Sequence, residues 1–212
     1  MNNSLNLERI NFSKLQGLIP VCIQDYDTMQ VLMVGFMNQE ALDQTVATKQ
    51  VTFYSRSKKR LWIKGETSGN FLEVVKILMD CDQDSLLIYA RPVGPTCHTG
   101  SISCFGDQEH LPPLYWLAYL IEVIHKRQHT GEESYTSRLI ASGIKRVAQK
   151  VGEEGVEVAL AAVTNQHEET INESVDLLYH LFVLLQVQQI SLEAISNVIR
   201  SRRKNEASVS VG

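Results

Sequence analysis

The chain has 212 residues, 44% of them hydrophobic and 21% charged, the balance of an ordinary globular protein with room for one large domain or two small ones. A formal net charge of −4 excludes the broad basic footprint of a nucleic-acid-binding protein, so a phosphate ligand has to be met by metals or local basic clusters. The start, Met1-Asn2-Asn3-Ser4, lacks the pattern of a signal peptide and no apolar run is long enough to span a membrane, which makes a cytoplasmic protein the expectation.

In chain order, Val21 to Gln24 and Gln30 to Met37 are apolar runs parted by the turn-prone Asp25-Tyr26-Asp27, which predicts two strands. Cys22, inside the apolar stretch Leu18 to Ile23, is expected to be a buried structural thiol. Asn38 is a good N-cap, so Gln39 to Thr48 is predicted to be a short helix. Val51 to Ser55 and Leu61 to Lys64 suit a hairpin around the basic Arg56-Ser57-Lys58-Lys59-Arg60. Leu61-Trp62-Ile63-Lys64-Gly65-Glu66-Thr67-Ser68-Gly69-Asn70 then supplies glycines, a lysine and small hydroxyls that suit phosphate, with Trp62 to stack on a base. Taken alone, it is also an ordinary turn-rich loop. Leu72 to Asp80 and Ser85 to Ala90 are further strand candidates, and Pro92, Gly94 and Pro95 punctuate a loop leading to Cys97.

Between those last two strands lies Asp80-Cys81-Asp82-Gln83-Asp84. As an extended run it places Asp80, Asp82 and Asp84 on one face and Cys81 on the other. Carboxylate oxygens suit magnesium and thiolates suit zinc, so the segment offers ligands for two metals; the alternative is an exposed acidic turn. With four cysteines in a reducing compartment, metal or catalytic roles outweigh disulfides. Cys97 and Cys104 frame Cys97-His98-Thr99-Gly100-Ser101-Ile102-Ser103-Cys104, a spacing too wide for a common zinc knuckle. With Cys81 they make three thiolates and leave a fourth position for water, as a catalytic zinc requires. His98 is a candidate ligand, base or substrate contact, or a satisfied loop histidine.

Strand signals stop at the polar, double-proline segment Asp107-Gln108-Glu109-His110-Leu111-Pro112-Pro113, which marks a domain boundary. Leu114, Leu117, Ile121 and Ile124 follow helical spacing, as do Ile144, Val147, Val151 and Val158, and again Ile171, Leu178, Leu181 and Leu185. An all-helical bundle is expected, followed by a frayed polar tail from Lys204 to Gly212. On these helices Glu154 and Glu157 are one turn apart, as are Glu173 and Asp176. The helix carrying Glu173, Asp176 and His180 is otherwise apolar almost all round, and buried unpaired carboxylates are costly. A magnesium ion bridged to substrate phosphates answers that cost; the alternative is a buried network with Lys145, Arg146 or Lys150.

Residues from about 18 to 107 resemble phosphoribosyl-AMP cyclohydrolase, on the strength of the 61–70 loop, Asp80 to Asp84, Cys97-His98-Thr99-Gly100 and Ser103-Cys104-Phe105. Residues from about 113 to 203 resemble phosphoribosyl-ATP pyrophosphatase, a relative of the all-α nucleotide pyrophosphohydrolases. That match rests on Ser134-Tyr135-Thr136, Lys150-Val151-Gly152-Glu153-Glu154 with Glu157, and Glu173 with Asp176. The fused order resembles the bifunctional histidine-biosynthesis enzymes.

The resemblance implies an N-terminal α+β, mainly β-sheet cyclohydrolase domain over 1–107, a linker over 108–113, an all-α pyrophosphatase bundle over 114–203 and a tail over 204–212. It implies pyrophosphate release from phosphoribosyl-ATP, then opening of the adenine ring of phosphoribosyl-AMP at the N1–C6 bond. It implies zinc on Cys81, Cys97 and Cys104, and magnesium on Asp80, Asp82 and Asp84 and on Glu154, Glu157, Glu173 and Asp176. Arg56, Trp62, Lys64, Glu66, Ser68, Asn70 and Lys150 become substrate-binding candidates, and His98 and Glu153 catalytic ones, Glu153 as orienter of water or as a further ligand. Cys81 faces away from its neighbouring aspartates, and the resemblance implies that its zinc is completed by Cys97 and Cys104 of a second chain, so a homodimer with zinc shared between chains is expected. The competing expectation is a house-cleaning nucleoside triphosphate pyrophosphatase fused to a zinc-clamped binding module.

Overall fold

The computed structural model describes residues 9–106, 111, 113–130 and 133–209, with backbone only over 204–209. The chain divides into two compact units, Met1–Ala118 and Tyr119–Gly212, a division that falls inside a helix just after the expected linker. Residues 107–110 and 112 of that linker region lie outside the described residues.

The first unit is built on a four-stranded sheet in the order β2-β1-β6-β5, from β1 (Ile19–Asp25), β2 (Val31–Met37), β5 (Leu72–Met79) and β6 (Leu86–Pro92). β1 pairs antiparallel with β2 and parallel with β6, and β5 pairs antiparallel with β6. Alternation along β1 sends Ile19, Val21 and Ile23 inward. Cys22 therefore points to the other face and is half-buried, not fully buried as expected. Asp25 ends β1 by accepting the amides of Asp27 (2.8 Å) and Thr28 (2.9 Å), the local turn chemistry that separates β1 from β2.

Helix α1 (Gln39–Thr48) starts where Asn38 caps the Ala41 amide at 2.9 Å, and it ends at Lys49 in the left-handed region. The hairpin of β3 (Thr52–Ser55) and β4 (Arg60–Ile63) closes around the basic turn, in the register Thr52↔Ile63 to Ser55↔Arg60. Phe53, Leu42, Leu32, Met37, Leu72 and Ile88 complete the core with the inward face of β1.

The second unit is helical, as the 3.6-residue spacing predicts. Pro113, suited to a first helical position, opens α2 (Pro113–His129). There follow α3 (Tyr135–Ala141), α4 (Ile144–Val163), α5 (His167–Val187) and α6 (Leu192–Val209). The tail expected from Lys204 is helical as far as Val209. α4 and α5 pack against each other, and Ile124, Leu139, Val147 and Val183 form the core. The predicted apolar faces are only partly covered, with Leu114, Ile144 and Ile171 exposed in the single chain, and Val156, Leu160, Val163 and Val175 outside those faces are exposed as well. No single helix among the described residues is long and apolar enough to cross a membrane.

Candidate functional site

The Asp80–Asp84 segment is a turn between β5 and β6, not an extended run. Asp80 Oδ1 accepts the amides of Asp84 (3.0 Å) and Ser85 (3.2 Å), its Oδ2 takes the Ser85 hydroxyl, and Gln83 adopts a positive φ of 68°. Local capping thus overrides period-two alternation. The turn still brings the three carboxylates together: Asp80, Asp82 and Asp84 each offer an oxygen within 4.8 Å of the others. The Ser85 hydroxyl, outweighing the cost of burial, holds the Asp80 carboxyl at about 2. Lys14, on the 3-10 turn Phe12–Leu15, already sets a cation there, with Nζ 3.1 Å from Asp82 Oδ2 and 3.0 Å from Asp84 Oδ2.

Cys97 and Cys104 lie near enough to Lys64 for their charges to act on its ammonium. The Thr99 hydroxyl donates to Cys97 Sγ at 3.2 Å and pulls that thiol down, while burial of the Cys104 thiol pushes it up. Lys64 is 6% exposed; burial lowers its ammonium, partly offset by the two thiols beside it. Its Nζ donates to the Asn70 carbonyl at 3.2 Å, and the Ser68 hydroxyl accepts the Asn70 amide at 3.2 Å. Asn70 lies so near Gly94 that a Cβ there would stand 2.5 Å from its Oδ1, which ties the 64–70 loop to the approach to Cys97. Thr96 Oγ1 is buried with no hydrogen-bond partner among the described residues.

His98 is exposed, with Nδ1 3.8 Å from Cys97 Sγ. Arg56 lies over the Phe36 ring, its guanidinium carbon 3.9 Å from the centroid. Trp62 packs on Phe53 with ring centroids 5.6 Å apart. Glu66 holds Arg60 at 2.6 Å and accepts the Ile63 amide, which braces the 61–70 loop.

In the helical unit a cavity of about 450 Å³ is lined by Arg127, Tyr135, Lys150, Glu154, Asp176, Tyr179 and His180. Beside it Glu154, Glu157 and Glu173 offer oxygens within 4.8 Å of one another, from α4 and α5. Asp176 lies on the cavity wall outside that cluster. Burial first, then the charges of Glu157, Glu169 and Glu154, push the Glu173 carboxyl up to about 7. Lys150 binds Glu154 at 2.6 Å and Glu153 at 3.0 Å, which lowers both carboxyls and raises the lysine. Arg146 and Gln149 also reach Glu153. The lysine network and the carboxylate cluster weighed as alternatives are therefore both present, sharing Glu154.

Oxygen-only clusters of three carboxylates fit magnesium in both units, and a carboxyl held at about 7 by burial and by its acidic neighbours is one that a cation would relieve. Thiols fit zinc, yet among the described residues Cys81 joins no three-ligand group with Cys97 and Cys104. Sequence reasoning missed roles for Lys14, Arg127, Tyr135, Tyr179 and His180. Two of them left a signal, His180 as a polar break in an apolar helix and Tyr135 in the Ser134-Tyr135-Thr136 motif that carries the resemblance.

Residues 33–106 match the family model described as phosphoribosyl-AMP cyclohydrolase, and residues 117–203 match that described as phosphoribosyl-ATP pyrophosphohydrolase. The chain is similar to the histidine biosynthesis bifunctional protein HisIE of Vibrio cholerae, 51% identical over 93% of this chain and 95% of that protein. It is also similar to the proteins of the same description from Photobacterium profundum, 54% identical over 91% and 96%, and Escherichia coli O157:H7, 52% identical over 92% and 96%.

Proposed function

The chain belongs to the family of bifunctional histidine-biosynthesis proteins that join a cyclohydrolase unit to a pyrophosphohydrolase unit, and from this we propose which residues carry each step. The protein is a hydrolase with two activities: it converts phosphoribosyl-ATP to phosphoribosyl-AMP and pyrophosphate, then opens the adenine ring of phosphoribosyl-AMP. A house-cleaning pyrophosphatase fused to a zinc-clamped binding module is not favoured, because both family models and near-full-length relatives agree on the two-step pair.

The observation that carries the assignment of sites is that each unit builds its own three-carboxylate cluster. In the helical unit Glu154, Glu157 and Glu173 would hold magnesium, with Asp176 at the cavity wall. Lys150 and Arg127 face the substrate phosphates, and Glu153, kept ionised by Lys150, orients the attacking water.

In the sheet unit Asp80, Asp82 and Asp84 would hold magnesium, while Arg56, Lys64, Ser68 and Asn70 bind the ribose phosphates and His98 moves a proton at the ring. Cys97 and Cys104 of one chain with Cys81 of another would hold zinc. The metals supply neutralised phosphate charge and water of lowered pKa. The shared zinc makes the protein a homodimer, and the exposed apolar side chains of α4 and α5 are a surface that a second copy would cover. Its place is the cytoplasm.

A coupled assay with phosphoribosyl-ATP, following pyrophosphate and ring opening separately, tests the division. Cys97→Ala should lose zinc and ring opening while releasing pyrophosphate. Glu173→Gln should do the reverse and still convert added phosphoribosyl-AMP. A folded variant of either kind that lost both activities would sink the assignment.

A further inference from the structure

Tyr135 is 49% exposed, although its hydroxyl is engaged inside the helical unit, 3.1 Å from Nε2 of the buried His180. What it offers a ligand in the cavity it lines is therefore its ring. Both ends of the side chain are fixed. At the backbone end Tyr135 opens α3 behind a capping box, in which the Ser134 hydroxyl accepts the Ser137 amide at 3.1 Å and the Ser137 hydroxyl accepts the Ser134 amide at 2.9 Å. At the far end the His180 contact holds the phenol whichever partner donates, and the two rings meet edge-on at 81°. Tyr179, the other phenol of the cavity, is committed to the fold. Its ring packs on the core of Ile124, Leu139, Val147 and Val183, and its hydroxyl lies 2.8 Å from that of the buried Thr136. Tyr135 is thus a pre-positioned aromatic face, with little side-chain freedom left to lose when a ligand stacks on it.

The face of a phenol ring is electron-rich, so it repels a phosphate and attracts a cation. Arg127 and Lys150 on the same cavity supply the positive charge that phosphates need. The aromatic face therefore suits the other end of a nucleotide, its base. On the reading that this cavity is where pyrophosphate is released, the base that arrives is an adenine already alkylated at N1 by the second ribose. Alkylation there leaves an amidine across N1, C6 and the exocyclic nitrogen that is basic enough to hold a proton at neutral pH. That base is a flat cation, whereas the adenine of ordinary ATP is neutral. We propose that Tyr135 is a specificity-determining residue whose ring stacks on the N1-alkylated adenine and prefers it through that positive charge.

The test uses the full chain and compares phosphoribosyl-ATP with its hypoxanthine counterpart, in which oxygen replaces the exocyclic nitrogen and the base is neutral with nearly the same shape. The wild-type protein should favour the adenine form by about 5-fold in kcat/KM for pyrophosphate release, mainly through KM. Tyr135→Phe keeps the face and should keep the preference, whereas Tyr135→Leu should reduce it to less than about 2-fold. Phenylalanines carrying one, two and three ring fluorines at position 135 should lower the preference stepwise, because fluorine draws electron density from the face while nearly preserving its shape. A ring that only filled space would give no such gradient. Circular dichroism of the helices reports that each variant is folded.

Equal use of the two forms by the wild-type protein overturns the proposal, as does a preference that survives Tyr135→Leu or is indifferent to fluorination. Pyrophosphate release that persists in both Glu173→Gln and Lys150→Met would instead remove the cavity as the reaction site.

Discussion

Asp80 shows how one residue serves structure and a candidate site together. Its oxygens accept two amides and a hydroxyl of its own turn, and the carboxyl is held at about 2 against an ordinary 3.8. A depressed folded-state value means that its contribution to stability is complete above pH 3.8 and is lost as pH falls through about 2. Asp80→Asn should therefore flatten the acid limb of a Tm-against-pH curve in that window and lower Tm at neutral pH by a few degrees. An unaltered acid limb would show that the turn holds without it. Lys14 makes the opposite case, a side chain standing where a metal would. Its ammonium contacts Asp82 and Asp84, so an incoming cation has to displace it. In a Glu173→Gln background, which disables the other cluster, Lys14→Met should tighten Mn2+ binding by about 3-fold, the scale of an exposed ion pair. A titration with unchanged Kd would make the lysine a bystander.

At the scale of elements, most of the fold is legible because local chemistry and tertiary packing agree. Asn38 caps α1 where a cap was expected, Asp25 turns the chain between β1 and β2, and the basic 56–60 segment is the hairpin turn. The alternation of Asp80 to Asp84 misled because the Asp80 side chain caps the turn amides, and a cap competes directly with extended backbone. Nothing local announces that β1 lies parallel to β6, that Lys14 reaches the aspartates, or that Arg127 joins the cavity on α4 and α5, since each is a long-range pairing. Gly35 on β2 is another such case. A Cβ there would stand 2.3 Å from the buried Phe53 ring, so Gly35→Ala should cost about 1–3 kcal/mol in urea unfolding, and a neutral result would mean that the ring can swing away. On α5, Glu173 titrates at about 7 against an ordinary 4.5. A carboxyl raised in the folded state binds its proton more tightly there, so the metal-free protein should lose stability as pH rises from 4.5 through about 7. Glu173→Gln should remove that slope, and saturating Mg2+ should remove it from the wild-type protein. A slope insensitive to both would assign it to other groups.

At the scale of the whole molecule, the decisive question is whether one chain or two make the proposed zinc site. Cys97 and Cys104 act on each other, whereas Cys81 sits exposed on the β5–β6 turn and joins no three-ligand group among the described residues. If the site is shared, Cys81→Ala and Cys97→Ala each destroy both sites of a homodimer, but they do so from opposite sides. A dimer of one chain of each kind pairs the two defects in one site and leaves the other site with all its thiols. Co-refolding equal amounts should give half such mixed dimers, each with one of two sites intact, and so recover about a quarter of wild-type zinc and ring opening from two inactive proteins. Pyrophosphate release should stay constant throughout, since the proposal places it on the carboxylates of α4 and α5 in each chain. A site made within one chain predicts no recovery at any mixing ratio. Zinc content and ring opening that stay at zero in mixtures shown by mass spectrometry to contain mixed dimers would therefore place all three thiols in one chain.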